Sequence, residues 1–240
     1  MKKFEFTGEN KVWYGYTLRR IRALVDIPTH CVKKGDLGGW IEKNKNLSHD
    51  GNAWVSKYAW VYGDARVFDD AQVSGNAHIS GCARVCGDAF VCDNAQVSCG
   101  AHISGCARVC GDAWVYDNAR VYGNAWVYDN AWVNNDARVY GNARVYDNAR
   151  VSGNARVSGD ARIYGNARVF GDARIYGNAR VSGDAWIYGN AWVYDNAWVY
   201  DNAWAYGDAL VCGNARVYGD ALVYDDALVC GNAQVYTRNA

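Results

Sequence analysis

Residues 137–178 read ARVYGNARVYDNARVSGNARVSGDARIYGNARVFGDARIYGN, which is one six-residue unit written seven times. Each unit, called a hexad below, has the form Ala-x-Val/Ile-x-Gly/Asp-Asn/Asp. Alanine recurs at every sixth position from Ala53 to Ala233, and Val or Ile follows two residues later, except at Ala205. Self-similarity at a fixed short period of this kind indicates a solenoid.

The hexad favours a short strand followed by a turn. A helix needs apolar residues about 3.6 positions apart, and the Gly and Asn in the repeat oppose it. In Ala-x-Val the two apolar residues alternate with an outward one, as on a strand with one buried face. The Gly-Asn or Asp-Asn pair accepts positive φ at little cost and turns the chain. Three sides of six residues make a triangular coil of 18 residues, with about ten coils in the chain.

The first residues lack the hexad and are predicted to form a cap. Strand-like segments at 2–6 and 18–24 are separated by turn residues, and solenoids need a covered end. We therefore predict an all-β protein with a small amino-terminal β cap, 1–46, and a hexapeptide-repeat parallel β-solenoid, 47–240. At the carboxyl-terminal end the last strand has an open edge that could pair with another chain. Either Arg238 prevents such pairing or two molecules meet there.

The composition excludes several classes of protein. Hydrophobic residues make up 50% and aromatic residues 14% of the chain, so it is not disordered. Lys+Arg and Asp+Glu both total 25, so no charged tail is indicated. A membrane-spanning helix needs an apolar run of about 18 residues, and no run in this sequence comes near that length. Nine cysteines without an apolar leader predict reduced thiols and a cytoplasmic location.

Arginine dominates the outward position after alanine in the middle of the chain. Eight successive hexads carry it there, and together with one arginine a coil earlier they form the basic belt: Arg120, Arg138, Arg144, Arg150, Arg156, Arg162, Arg168, Arg174 and Arg180. Arginines one strand spacing apart repel each other unless something neutralises them. Two interpretations stay open. The belt binds a polyanion such as nucleic acid, or its guanidinium groups lie against neighbouring Tyr rings and corner Asp residues.

Tryptophan occupies the same outward position in other hexads. The spacing of 18 predicts that Trp186 stacks on Trp204 and Trp114 on Trp132. An exposed aromatic band marks an interface, with self-association as the expected use, although a cross-strand ladder would also stabilise a sheet. The interface candidates are Trp114, Trp132, Trp186, Trp192, Trp198 and Trp204.

Histidine and cysteine cluster in the early hexads, but the cluster does not predict a metal site. Residues 71–89 recur almost unchanged at 95–113, an offset of 24 residues, which is one coil plus one hexad. The copy therefore puts His102 on a different face from His78, whereas zinc needs about four ligands around one point. Two cysteine pairs one coil apart have a spacing compatible with a disulfide under oxidation: Cys92 with Cys110, and Cys212 with Cys230.

The hexads resemble those of the left-handed β-helix hexapeptide-repeat superfamily, which includes acyltransferases that use acetyl-CoA or acyl carrier protein. The segments LRRIRAL (18–24), GDLGGWIEKNKNLS (35–48) and GNAWV (51–55) resemble, more narrowly, a group of bacterial and bacteriophage proteins. Those proteins carry the same Gly-Gly-Trp segment and are often labelled acyltransferases on their repeats alone. The resemblance implies a single-stranded, left-handed coil.

An acyltransferase of this superfamily is implied to need a histidine general base and a loop that encloses the acceptor. His78 and His102 are the candidates, but the hexads run without an insertion that could build a pocket. Fold alone does not give function. We therefore expect a non-enzymatic structural or interaction solenoid, without metal or cofactor, that forms homo-oligomers or binds a macromolecular partner. The alternatives are an acyltransferase using acetyl-CoA, and nucleic-acid binding by the basic belt. No membrane partner is expected.

Overall fold

The computed structural model describes residues 2–237, and the predicted role of Arg238 lies outside them. Internal contacts divide the chain into two compact units, unit 1 up to Asn118 and unit 2 from Ala119. A search of the described residues for a helix that could span a membrane finds none.

An antiparallel cap opens unit 1. It consists of strands Phe4–Trp13, Tyr16–Ala23 and Leu37–Ile41, with the second strand between the other two, and of 3-10 helices Pro28–His30 and Asn44–Asn46. The strand Leu37–Ile41 is antiparallel to its cap neighbour but parallel to Trp60–Val61, the next strand of the same sheet. The cap is thus joined to the first coil by main-chain pairing.

Two adjacent glycines let this third cap strand lie close to the first coil. A Cβ on Gly38 would lie 2.6 Å from Cγ1 of Ile21 and 2.7 Å from Cζ2 of Trp54. A Cβ on Gly39 would lie 2.5 Å from the carbonyl oxygen of Ala59. Side chains do not approach other atoms so closely, so both positions require glycine. This contact accounts for the Gly-Gly-Trp segment that stood out in the sequence.

Each described hexad forms one short strand and one turn. The inward Ala and Val/Ile residues from Ala53 to Val217 are buried to 1% exposure or less. The first turn residue has positive φ, 68° at Gly141 and 57° at Asp147, which explains why Gly and Asp alternate there. Burial of about thirty branched side chains, each contributing roughly 1.5–3 kcal/mol, dominates the favourable side of folding.

Strands 18 residues apart pair in parallel, as Arg138 pairs with Arg156, and each unit has three walls. In unit 1 the first wall continues the cap sheet with Trp60–Val61, His78–Ile79, Gln96–Val97 and Trp114–Val115; the second wall has Arg66–Val67, Arg84–Val85 and His102–Ile103; the third wall has Trp54–Val55, Gln72–Val73, Phe90–Val91 and Arg108–Val109.

The three walls of unit 2 follow the same register. The first wall has Trp132–Val133, Arg150–Val151, Arg168–Val169, Trp186–Ile187, Trp204–Ala205 and Leu222–Val223. The second wall has Arg120–Val121, Arg138–Val139, Arg156–Val157, Arg174–Ile175, Trp192–Val193, Leu210–Val211 and Leu228–Val229. The third wall has Trp126–Val127, Arg144–Val145, Arg162–Ile163, Arg180–Val181, Trp198–Val199, Arg216–Gly219 and Gln234–Thr237.

The predicted fold class is confirmed. The described residues contain no α-helix, the hexads form a parallel β-solenoid with an 18-residue coil, and an antiparallel β cap precedes them. The corners are closed by side-chain amides that follow the same period. For example, Nδ2 of Asn178 donates to Oδ1 of Asn196, and Nδ2 of Asn196 donates to Oδ1 of Asn214, each at 3.1 Å.

Candidate interaction surface

The basic belt lies within unit 2 and is distributed over its three walls. The arginines stand in register one coil apart, about 4.8 Å between strands. The second wall holds Arg120, Arg138, Arg156 and Arg174; the third wall holds Arg144, Arg162 and Arg180; the first wall holds Arg150 and Arg168. The predicted columns of like charge are therefore present.

Corner carboxylates do not neutralise the belt. Within residues 2–237 the ion pairs all involve the cap: Arg20 with Glu9, Arg22 with Glu5, and Lys43 with Asp64. Two corner carboxylates among the belt coils accept other hydrogen bonds instead. Oδ1 of Asp160 accepts from Nδ2 of Asn142 at 3.0 Å, and Oδ2 of Asp147 accepts from the backbone N–H of Gly165 at 3.0 Å.

Five belt guanidinium groups lie over indole rings at the two borders of the belt. The distances from Cζ to the ring centroid are 5.3 Å for Arg144 on Trp126, 4.8 Å for Arg150 on Trp132, 4.8 Å for Arg168 on Trp186, 4.8 Å for Arg174 on Trp192 and 4.6 Å for Arg180 on Trp198. Such cation–π contacts are worth about 0.5–1 kcal/mol at exposed sites. Arg156 and Arg162 are exposed and have an arginine before and after them in their columns.

The tryptophans are therefore only partly open to solvent. Trp186 and Trp204 stack with centroids 5.1 Å apart and planes 7° apart, as predicted. Trp186, Trp192 and Trp198 are half-buried, whereas Trp204 is 37% exposed. Trp114, on the first wall of unit 1, is 39% exposed. The guanidinium cover on the indole rings was not predicted from the sequence, although each column contains an Arg and a Trp 18 residues apart.

A second outward column, two residues further along each hexad, forms aromatic ladders. Tyr128 stacks on Tyr146 at 4.9 Å and Tyr146 on Tyr164 at 5.2 Å. Burial, followed by the neighbouring tyrosine, raises the pKa of Tyr128 and of Tyr146, so these phenols stay protonated at neutral pH. The ladders add packing between coils and place hydroxyl groups beside the arginine columns.

Charge is segregated along unit 2. Residues 137–183 carry eight arginines and three aspartates, a formal charge of +5. Residues 184–237, called the acidic coils below, carry one arginine and seven aspartates, a formal charge of −6. These aspartates are Asp184, Asp195, Asp201, Asp208, Asp220, Asp225 and Asp226. The zero net charge of the whole chain conceals two strongly charged surfaces of opposite sign.

The two candidate catalytic histidines lie on different walls of unit 1, as the duplication predicted. His78 stacks on Trp60 with ring centroids 4.4 Å apart, and burial lowers its pKa, so the imidazole is neutral at pH 7. His102 places Nε2 3.3 Å from Sγ of Cys86, a contact that was not predicted. Burial raises the pKa of Cys86, which therefore holds a thiol and not the thiolate that a nucleophile needs.

The two cysteine pairs predicted from the 18-residue spacing are formed, so these four residues are not the reduced thiols that were expected. The free cysteines are Cys31, Cys82, Cys86, Cys99 and Cys106. Cys92 is joined to Cys110 and Cys212 to Cys230 as disulfides, with Cα atoms 4.7 and 4.5 Å apart. Parallel pairing in register points both side chains of each pair outward together, which brings the sulfur atoms into contact. Asp93 lies beside the first pair, the one group of three possible metal donors found in residues 2–237. Because its sulfur atoms bond each other, it does not supply a tetrahedral ligand set.

Comparisons with known proteins agree with this repeat geometry. Eight segments match the family model described as YdcK beta solenoid repeat: residues 59–75, 113–129, 137–151, 149–162, 161–174, 173–189, 185–201 and 209–224. No curated protein matches the chain in sequence.

Among solved structures, 21 chains match. One is the UDP-N-acetylglucosamine acyltransferase of Francisella novicida, with 13% identity and a TM-score of 0.31, over 73% of this chain and 63% of that chain. This chain thus spans less than two thirds of that enzyme, and a likeness at this level gives no argument for shared activity. The hexads of this chain are similar to YdcK-type β-solenoid repeats.

Proposed function

We propose that this chain is a non-enzymatic interaction solenoid that associates with a second copy of itself through unit 2. The observation that carries the proposal is the charge segregation, +5 over residues 137–183 and −6 over the acidic coils. The belt arginines have no carboxylate partner within the described chain, so their charge is available to a partner.

A second copy supplies the complement that each surface lacks. In a two-fold arrangement the basic belt of one copy faces the acidic coils of the other, and the reciprocal contact forms at the same time. The acidic coils also present apolar side chains, with Trp204 37%, Leu222 52% and Leu228 66% exposed. Charge complementarity then sets orientation and association rate, while the aromatic and leucine side chains lose water contact.

Sedimentation velocity at low and high salt tests this proposal. The wild-type chain is expected to dimerise at low salt and to dissociate as salt screens the charges. Arg156→Gln/Arg162→Gln removes two exposed belt charges and should raise the dimer Kd at least tenfold. Lys33→Gln/Lys34→Gln removes the same charge from exposed cap lysines and should leave the Kd unchanged. A chain that stays monomeric at low salt, or equal effects of both double variants, would contradict the proposal.

Nucleic-acid binding by the basic belt is a second candidate, favoured by the uncovered arginines in the middle of the columns. Counterion release then predicts a steep linear fall of log affinity with log salt. Fluorescence anisotropy with a labelled single-stranded oligonucleotide measures this slope. Arg156→Gln/Arg162→Gln should reduce its magnitude by about 1–2 if those arginines contact phosphates. Tight binding by a monomer would favour this candidate over self-association.

Acyl transfer is the remaining alternative, and titration with acetyl-CoA tests it directly. Saturable binding that is lost in His78→Ala or His102→Ala would favour an enzyme. Absence of binding at millimolar acetyl-CoA would remove this alternative.

A further inference from the structure

An open pocket of about 390 Å³ lies in unit 1, where the end of the cap meets the second wall. Cationic groups dominate its lining, with Lys45, Arg66 and Arg84 beside His49, and Leu47 and Phe68 provide apolar surface. None of the residues that line this pocket is acidic. Four of the nine lining residues come from the segment GDLGGWIEKNKNLS, which the proposed self-association through unit 2 does not use.

The cap side of the pocket is fixed by one buried side chain. Asn46 is fully buried; its Nδ2 donates to the carbonyl oxygens of Gly63 at 3.1 Å and Ala65 at 2.9 Å. Its Oδ1 accepts from the backbone N–H of Lys43 at 2.8 Å. Lys45, the preceding residue, is thereby held at the pocket rim on a short 3-10 helix instead of a free loop.

The segment after Asn46 pairs with the first strand of the second wall. Leu47 forms a parallel bridge with Val67, and the N–H of Ser48 donates to the carbonyl oxygen of Val67 at 2.9 Å. His49 follows directly and lines the pocket. The pocket therefore stands on main-chain pairing, and its geometry does not depend on a mobile loop.

The two pocket arginines have a charge arrangement that favours an anion between them. Arg66 and Arg84 are direct parallel partners, about one strand spacing apart, and both are exposed. Like charges at this distance destabilise a sheet. The carboxylate of Asp64 is engaged by Nζ of Lys43 at 2.9 Å, and no ion pair within residues 2–237 involves Lys45 or either arginine. Guanidinium forks match the oxygen geometry of phosphate and carboxylate.

His49 adds a neutral hydrogen-bond donor to the pocket. Its Nδ1 accepts from the backbone N–H of Lys3 at 3.2 Å, and its ring stacks on Phe4 with centroids 4.3 Å apart. Burial lowers the pKa of His49, so the ring is neutral at pH 7. Because Nδ1 accepts, the hydrogen is on Nε2. Three cations, one neutral donor and an apolar surface together fit an organic anion of high charge density.

We propose that this pocket binds a small phosphate monoester, with the phosphate group between Arg66 and Arg84 and the organic part against Phe68. A phosphate monoester carries close to two negative charges and three acceptor oxygens at pH 7. It therefore matches two guanidinium forks and a lysine better than a ligand with a single carboxylate does. The pocket lies wholly within unit 1, so this assignment is independent of self-association through unit 2.

Calorimetric titration of the full chain with AMP, adenosine and inorganic phosphate tests the assignment. We expect AMP to bind with a micromolar to millimolar Kd, and adenosine and inorganic phosphate to bind at least tenfold more weakly. Arg66→Gln/Arg84→Gln should weaken AMP binding at least tenfold without lowering the melting temperature, because both side chains are exposed and their like charges repel each other. Lys33→Gln/Lys34→Gln, with the same loss of charge, should bind AMP as the wild type does.

Each other outcome would overturn part or all of the assignment. No binding of AMP at about 10 mM, or unaltered binding by the arginine variant, would remove the site. Equal losses of AMP affinity in the arginine and lysine variants would show that AMP is attracted only by the net charge of the protein. Equal affinity for AMP and adenosine would show that phosphate is not recognised. Equal affinity for AMP and inorganic phosphate would assign the pocket to free phosphate instead of an ester.

Discussion

Ala205 is the one position where the inner Val/Ile column is interrupted, and Ala205→Val is expected to stabilise the protein. Its register partners are Ile187 and Val223, and Ala205 itself is fully buried. Valine adds two methyl groups to this site, each worth about 0.8 kcal/mol on burial, so the gain is about 1.5 kcal/mol. For a chain of this length that corresponds to a rise in melting temperature of about 3–6 °C.

Coils contact only their neighbours, so a local measurement is sharper than the global melting curve. The N–H of Trp204 donates to Ala221 and that of Tyr206 to Val223, both at 2.9 Å, and their hydrogen exchange should slow about tenfold in the variant. Ala203→Val is the matched control, because alanine fills that inward position in every hexad; overpacking there should destabilise by about 1–3 kcal/mol. An unchanged or lower melting temperature with unchanged exchange for Ala205→Val would refute the packing argument.

Three further predictions concern the cap. Gly39→Ala should destabilise unit 1 by about 1–3 kcal/mol in urea unfolding, because the new Cβ meets backbone atoms that cannot move aside. If the variant is as stable as the wild type, the close approach of the cap strand to the first coil is contradicted. Asn46→Ala leaves the carbonyl groups of Gly63 and Ala65 and one N–H without their side-chain partner and should cost about 2–3 kcal/mol, whereas exposed Asn44→Ala should cost little. Burial lowers the pKa of Lys3 from 10.5 to about 8. The unfolded chain therefore binds more protons at Lys3 between these values, so the contribution of Lys3 to stability should rise from pH 8 to pH 10.5. The difference in unfolding free energy between the wild type and Lys3→Met should accordingly move in favour of the wild type over this range.

The coil could be predicted from the sequence because it depends on inward residues alone. The hexads repeat one pattern, and apart from Ala205 the buried Ala and Val/Ile residues of the described hexads occupy the places that the period assigns to them. The cap contacts could not be predicted in this way. The need for glycine at Gly38 arises from Ile21 and Trp54, which approach it from separate parts of the chain.

The candidate surfaces were predictable as columns, and the stack of Trp186 on Trp204 with them, but the arginine contacts were not. The period fixes that Arg168 and Trp186 share a column, yet whether the guanidinium lies over the indole or extends into solvent is a choice of side-chain conformation. The pocket beside His49 was missed for a further reason. It combines a non-repeating segment with two arginines whose own hexads give no sign that they differ from the basic belt.

Because the three walls are built from the same hexad, the inward residues do not determine which wall an outward side chain occupies. Apart from the hexad that contains Ala205, any hexad can replace any other as far as the interior is concerned, since each offers one alanine and one Val or Ile. Insertion of six residues would therefore leave the interior intact and turn every later outward side chain onto the next wall. Insertion of eighteen residues would keep each later side chain on its wall and move it by one coil. Residues 71–89 and 95–113, offset by 24, record such a step. Surface patterns in this architecture can be redirected by counting residues, without any change to the residues that hold the coil together.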